Sequence, residues 1–144
     1  TALEQGTFCD CNSLSNIVIP NGTTIVGEDA FADCDSLVSV TIPSSVVSIE
    51  DSAFAYCSSL GSIIVPNGVE TISNWAFENC HSLTSITLPK SIAYIGQGAF
   101  SDCDRLTNVY YGGNATQWSQ VLVHQIFNDN LLNATISYNS PGSA

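Results

Sequence analysis

Basic side chains are almost missing from this chain. Lys90 and Arg105 stand against 13 acidic residues, a formal balance of −11. A field of that sign repels phosphate backbones and anionic lipid heads, which excludes nucleic acid and membrane surfaces as natural partners. Long apolar runs are missing too. No stretch approaches the roughly 18 residues that cross a bilayer, so no membrane insertion is expected. Thr1 to Asp10 has neither a basic start nor an apolar signal core. There is no Cys-x-x-Cys pair, and His81 and His124 each stand alone, so no metal or other cofactor is expected. The acidity reads first as solubility; weak divalent-cation binding and attraction to a basic partner are the other readings.

What is present is periodic. The chain has 144 residues, 44% of them apolar, enough for one domain with a sizeable core. Phe8, Phe31, Phe54, Phe77 and Phe100 are each 23 residues apart, and so are Cys11, Cys34, Cys57, Cys80 and Cys103. Leu14, Leu37, Leu60, Leu83 and Leu106 keep the same step. So do the columns of Ile17, Ile19, Pro20, Val26 and Ala30. The unit reads Leu-x-x-Ile-x-Ile-Pro, a spacer, Val-x-x-Ile, then Ala-Phe-x-x-Cys-x-x-Leu. In Leu37 to Ile42 the alternation puts Val40 and Ile42 on one side and Ser39 and Thr41 on the other, one short strand per unit. Pro43 stops that strand, and Glu50 to Ala55 reads as a turn or short helical piece.

One unit cannot bury its own apolar face, but stacked units can. The expected fold is a repeat solenoid, a leucine-rich-repeat right-handed superhelix whose short strands form a parallel sheet, with a helix-plus-strand cap at its C-terminal end. The division expected is repeats over residues 1–111 (about five units, the first partial), a cap over 112–139 and a linker or tail over 140–144. In the cap, Asn114 or Thr116 would start a helix running to about Gln125. Leu131 to Tyr138 would close the sheet, with Thr135 to Tyr138 in strand-like alternation. The first unit begins in mid-repeat. Further repeats or a capping partner are therefore expected before residue 1, and the open end could self-associate.

These columns closely resemble the BspA-like leucine-rich-repeat family over residues from about 6 to 111. The block Ala-Phe-x-x-Cys-x-x-Leu occurs at Ala30 to Leu37, Ala53 to Leu60, Ala76 to Leu83 and Ala99 to Leu106; the first copy has Thr7 in the Ala position. General leucine-rich repeats place Asn or Cys where this chain has Gly22, Ser45, Gly68 and Ser91, and its cysteine before the Leu is typical of the BspA-like subgroup. The resemblance implies an extracellular or cell-surface protein, usually bacterial. Its implied work is adhesion, with a host or neighbouring-cell surface or matrix protein as ligand, and no catalytic residues carry over.

The column cysteines should point inward as free thiols, with Cys9 outside the column and the most open to oxidation. His81 shares its column with Asn12, Asp35, Ser58 and Asp104 and reads as a solvated turn residue. With Cys80 turned inward, no catalytic site is expected, and neither histidine is expected within reach of an acid or nucleophile in a concave pocket. Glu28-Asp29 and Glu50-Asp51 recur at one repeat position and read as a polar surface row. Three glycosylation sequons, at Asn21, Asn114 and Asn133, matter only in a eukaryotic secretory pathway.

The better candidates are binding positions. Outward strand positions make one row of Asn16, Ser39, Ser62, Ser85 and Asn108, and another of Val18, Thr41, Ile64, Thr87 and Tyr110. Tyr56, Trp75 and Tyr94 break otherwise polar columns, and exposed aromatics are typical interface anchors. Protein recognition, a structural spacer that presents other domains, and glycan binding all remain open. Trp75, Tyr94 and Tyr110 exposed on one face would favour binding; dispersed or buried, they would favour the spacer.

Overall fold

The computed structural model describes residues 1–139. The expected tail at 140–144 lies outside them. In chain order the strands are β1 (Ala2–Leu3), β2 (Asn16–Val18), β3 (Ile25–Val26), β4 (Ser39–Thr41), β5 (Ser48–Ile49), β6 (Ser62–Ile64), β7 (Thr71–Ile72), β8 (Ser85–Leu88), β9 (Tyr94–Ile95), β10 (Asn108–Tyr111), β11 (Leu122–Val123) and β12 (Thr135–Ser137). Helix α1 (Ala115–Trp118) precedes β11, and α2 (Asp129–Leu132) precedes β12.

Every strand pairing is parallel and joins one coil to the next, as in Ser48↔Thr71 and Ser62↔Ser85. Each coil carries two strands rather than the one expected. The second set, β1-β3-β5-β7-β9-β11, forms a continuous six-stranded sheet. The first set is split into β2-β4 and β6-β8-β10-β12. The break falls where Gly61 stands in the column of Ser15, Val38, Thr84 and Thr107. Glu50 to Ala55 is turn, not helix.

The core is a set of columns running along the stack. Phe8, Phe31, Phe54, Phe77 and Phe100 stack ring on ring, with centroids 5.1 to 5.3 Å apart and planes within 9° of parallel. From Phe31 on, these rings are fully buried, with Leu37, Ile49, Leu60, Ile72 and Leu83. The cysteine column does more than fill space. The Cys34 thiol donates to the Phe8 carbonyl at 3.1 Å, Cys57 to Phe31 at 3.2 Å, Cys80 to Phe54 at 3.2 Å and Cys103 to Phe77 at 3.0 Å. All six cysteines are free thiols; four are buried, and Cys9 and Cys11 are half-buried.

The turns impose a second constraint. Two positions per coil take a left-handed backbone: one is the column Gly6, Asp29, Ser52, Trp75, Gly98, and the other is Asp10, Asp33, Tyr56, Asn79, Asp102. Glycine, Asn and Asp enter that region at least cost, which accounts for most of these residues. It does not account for Ser52, Tyr56 or Trp75.

The cap departs from the expected long helix. Asn114 does start α1: its side chain accepts the Gln117 N–H at 2.9 Å, and Gln117 Oε1 accepts the Asn114 N–H at 2.8 Å. The helix ends after four residues, because Leu122–Val123 finds the open edge of β9 and joins the six-stranded sheet. Strand β12 pairs with β10, as the alternation there suggested. Between them, Asn128 seals the stack. In earlier coils the Phe N–H donates to the next coil's Ala carbonyl, as in Phe77 to Ala99 at 2.8 Å. Phe100 instead donates to the Asn128 side-chain oxygen at 3.1 Å. The Asn128 amide then donates to the Gly96 and His124 carbonyls at 2.8 and 2.6 Å. This side chain, fully buried, stands in for a coil. Among the described residues no helix is long and apolar enough to cross a membrane.

Candidate functional site

Register fixes the two candidate rows. Asn16 lies beside Ser39, and Ser85 lies between Ser62 and Asn108; likewise Val18 lies beside Thr41, and Thr87 between Ile64 and Tyr110. The polar row is knit together where Ser39 Oγ donates to Asn16 Oδ1 at 2.6 Å. In the other row Val18 is 73% exposed, Ile64 57% and Tyr110 38%. Thr87 departs from its expected exposure: at 9% it is buried, set between the larger Ile64 and Tyr110 side chains. No position in either row carries a charge, and the acids stand in the turns, as at Asp33, Asp35, Asp102 and Asp104.

The outlier aromatics do not share this face. Tyr110 is on β10, but Tyr94 is on β9 in the other sheet, beside the well-exposed Leu122. Tyr56 projects from a turn at φ 61°, and Trp75 sits in another turn at φ 59°. The Trp75 ring is half-buried and meets Phe127, with centroids 5.6 Å apart. Tyr56, Trp75 and Tyr94 therefore form no single site with Tyr110.

His81 meets an acid on the exposed surface. Its Nδ1 lies 3.4 Å from Asp104 Oδ2, the same column position one coil on. Both side chains are more than half exposed, at 52% and 69%, and the neighbouring Cys80 thiol points into the core. His124 Nδ1 accepts the Ile126 N–H at 3.3 Å. At the other end of the stack, Cys9, Asp10 and Asp33 bring three possible metal-ligand atoms within 4.8 Å of one another. Burial, then the charges of Asp10, Asp33 and Asp29, pushes the Cys9 thiol pKa up, which opposes the thiolate a metal needs. The Asp33 carboxyl is raised as well, by burial and then by Asp10 and its other acidic neighbours.

Three open depressions lie near the cap. One of about 300 Å³ is lined by Thr107, Asp129, Asn130 and Thr135. A second, of about 340 Å³, is lined by Lys90, Tyr111, Gln117 and Gln120. A third, of about 130 Å³, is lined by Asp102, Phe127 and Asp129. Burial raises the Tyr111 hydroxyl pKa. In the third, Ser101 lies beside Asp102, its Oγ donating to Asp102 Oδ2 at 3.1 Å.

Six copies of the BspA type leucine rich repeat region match residues 1–131. The chain belongs to the BspA-type leucine-rich-repeat family. Solved structures of the same fold include a T. pallidum leucine-rich-repeat protein, 34% identical with a TM-score of 0.73, over 74% of this chain and 50% of that one. A leucine-rich-repeat protein from Bacteroides ovatus is 31% identical with a TM-score of 0.74, over 92% of this chain and 32% of that one. One from Eubacterium ventriosum, at 24% identity and a TM-score of 0.55, shares the fold over 74% of this chain and 33% of that one. The chain thus spans half or less of these relatives. No curated protein matches it.

Within this BspA-type frame the surface residue that sequence reasoning missed is Phe127. Its φ of 60° and the bond from Gly98 N–H to the Ile126 carbonyl put it in the turn column of Trp75 and Gly98. It follows Gly98 by 29 residues rather than 23, so the repeat count alone cannot find it. The signal available was the pair Ile126-Phe127, apolar between polar neighbours.

Proposed function

We propose that this BspA-type chain is a non-enzymatic recognition module at the cell surface or outside the cell, and that the outward face of its first sheet contacts a protein partner. The observation that carries this is the row Val18, Thr41, Ile64, Thr87, Tyr110. It is an uncharged, partly apolar stripe across consecutive coils of a chain whose charge is otherwise −11. Solenoid sheets present extended surfaces of this kind, and an aromatic at the end of an apolar stripe is a natural anchor. The flanking turn acids would favour a partner with basic groups around its contact patch. Capture of surface and matrix proteins by the full-length protein tests the reading. Retention no better than an unrelated repeat protein's would refute it.

A second reading is supported by the dispersal of the aromatics over both sheets and the turns. A spacer needs only the stack, and Trp75 is occupied by a neighbouring ring. A spacer would tolerate charge anywhere on the first sheet without loss of adhesion. Glycan binding is the third: Tyr110 is the single aromatic in the two rows, a thin platform for stacking sugars.

A further inference from the structure

The turns that follow the first-sheet strands alternate. In one kind, Thr23 N–H donates to the Pro20 carbonyl at 3.2 Å across Asn21-Gly22, with Gly22 at φ 91°. In the next coil Val46 closes on Pro43 across Ser44-Ser45, with no left-handed residue. The pattern then repeats, with Asn67-Gly68 at φ 104° followed by Lys90-Ser91. The real period of this feature is therefore 46 residues, two coils. The two kinds of turn are bonded to each other. Gly22 N–H donates to Ser45 Oγ at 3.1 Å, and Ser45 Oγ donates to the Thr23 carbonyl at 2.7 Å. Gly68 N–H donates to Ser91 Oγ at 3.1 Å, and Ser91 Oγ donates to the Val69 carbonyl at 2.8 Å.

These are the two Asn-Gly pairs of the sequence. Such a pair is chemically vulnerable, because glycine leaves its amide nitrogen unshielded and its backbone free to turn. That nitrogen can attack the Asn Cγ and expel ammonia, closing a five-membered succinimide. Water then opens the ring to aspartate or isoaspartate. The net change is amide plus water to acid plus ammonia, with no oxidant or reductant.

We propose that Asn21 and Asn67 are the chain's sites of succinimide formation, and that Ser45 and Ser91, each from the following coil, hold the reaction off. The attacking nitrogen must give up its proton and reach Cγ. In the fold its N–H is engaged by the serine oxygen, while the same hydroxyl pins the carbonyl on the far side of the glycine. The Asn side chains themselves are exposed, so water is available and the guard acts on the nucleophile. Stacking supplies the guard: a single coil would leave the pair unprotected.

The test is prolonged incubation of the intact protein at mildly alkaline pH. Peptide mass mapping reads the one-dalton gain and isoaspartate at each site. The folded wild type should react more slowly at both sites than the same protein in urea. Ser45→Ala should speed Asn21 alone and Ser91→Ala should speed Asn67 alone, each by roughly 2- to 12-fold, the net worth of one ordinary hydrogen bond expressed as a rate. In each variant the other site is the internal reference. Ser45→Thr, which keeps the hydroxyl, should stay slow. No acceleration at the cognate site overturns the proposal. So does equal acceleration at both sites, which would place the protection in global folding rather than in the serine.

Discussion

The Trp75 ring lies across Gly98, one coil on, and reaches Phe127 in the coil beyond. A Cβ at Gly98 would fall 2.1 Å from the Trp75 ring, and Gly98 itself has φ 61°. Two aromatics in left-handed positions thus meet over a glycine that has room for neither a side chain nor an ordinary backbone.

Gly98→Ala should therefore destabilise the chain by roughly 2–4 kcal/mol, combining left-handed strain with overpacking. Thermal unfolding reads the loss. If the clash with the ring is the larger part, Trp75→Ser should restore much of the stability, since Ser52 occupies that column naturally. Equal damage in both backgrounds would assign the whole cost to the backbone.

Asn128→Ala should cost about 2 kcal/mol or more, because it strands the Phe100 N–H beneath the cap. Hydrogen exchange should show the loss beginning at Gly96 to Phe100 rather than uniformly. An unchanged melting temperature would mean that the cap does not seal the stack.

The buried thiols set an alkaline limit. Burial pushes Cys34 from the ordinary 9.0 to about 11 and Cys57 to about 12. Cys80 is also raised well above 9.0, first by the Cys103 thiol and then by burial. These groups favour the protonated fold. Below about pH 9 both folded and unfolded chains keep the proton, and stability is independent of pH from this source. Above it the unfolded chain ionises first, so stability should fall as pH rises from 9 toward 12. Denaturation at graded alkaline pH measures this, with a chain carrying Ala in place of Cys34 and Cys57 as the flatter reference. In the native protein Cys9 should react first with a thiol reagent. Fewer than four free thiols after unfolding without reductant would contradict the free-thiol column.

Much of this was legible in the sequence, for a physical reason. A side chain shared by every coil at one step is a core column, so Phe31, Cys34 and Leu37 could be placed without coordinates. Strands β3, β5 and β7 could not, because two residues are too few to show alternation. Ile49 was recognisable as core but not as strand. The cap resisted because its loops change the step: Phe127 and Asn128 fall out of phase although each completes a column. Thr87 was assigned to the right face with the wrong exposure, since its cover comes from its neighbours' bulk. His81 and Asp104 share a column, and the stack brings column mates into contact; that pairing could have been foreseen.

Charge placed on one sheet but not the other tests the account most directly. Ile64→Asp puts a carboxylate in the middle of the proposed contact row, and Tyr94→Asp puts one at an exposed residue of the six-stranded sheet. Both variants should fold, as judged by circular dichroism. In capture of surface and matrix proteins, Ile64→Asp should lose what the wild type retains while Tyr94→Asp keeps it. Undiminished capture by Ile64→Asp, or loss confined to Tyr94→Asp, would contradict the assignment of recognition to the first sheet.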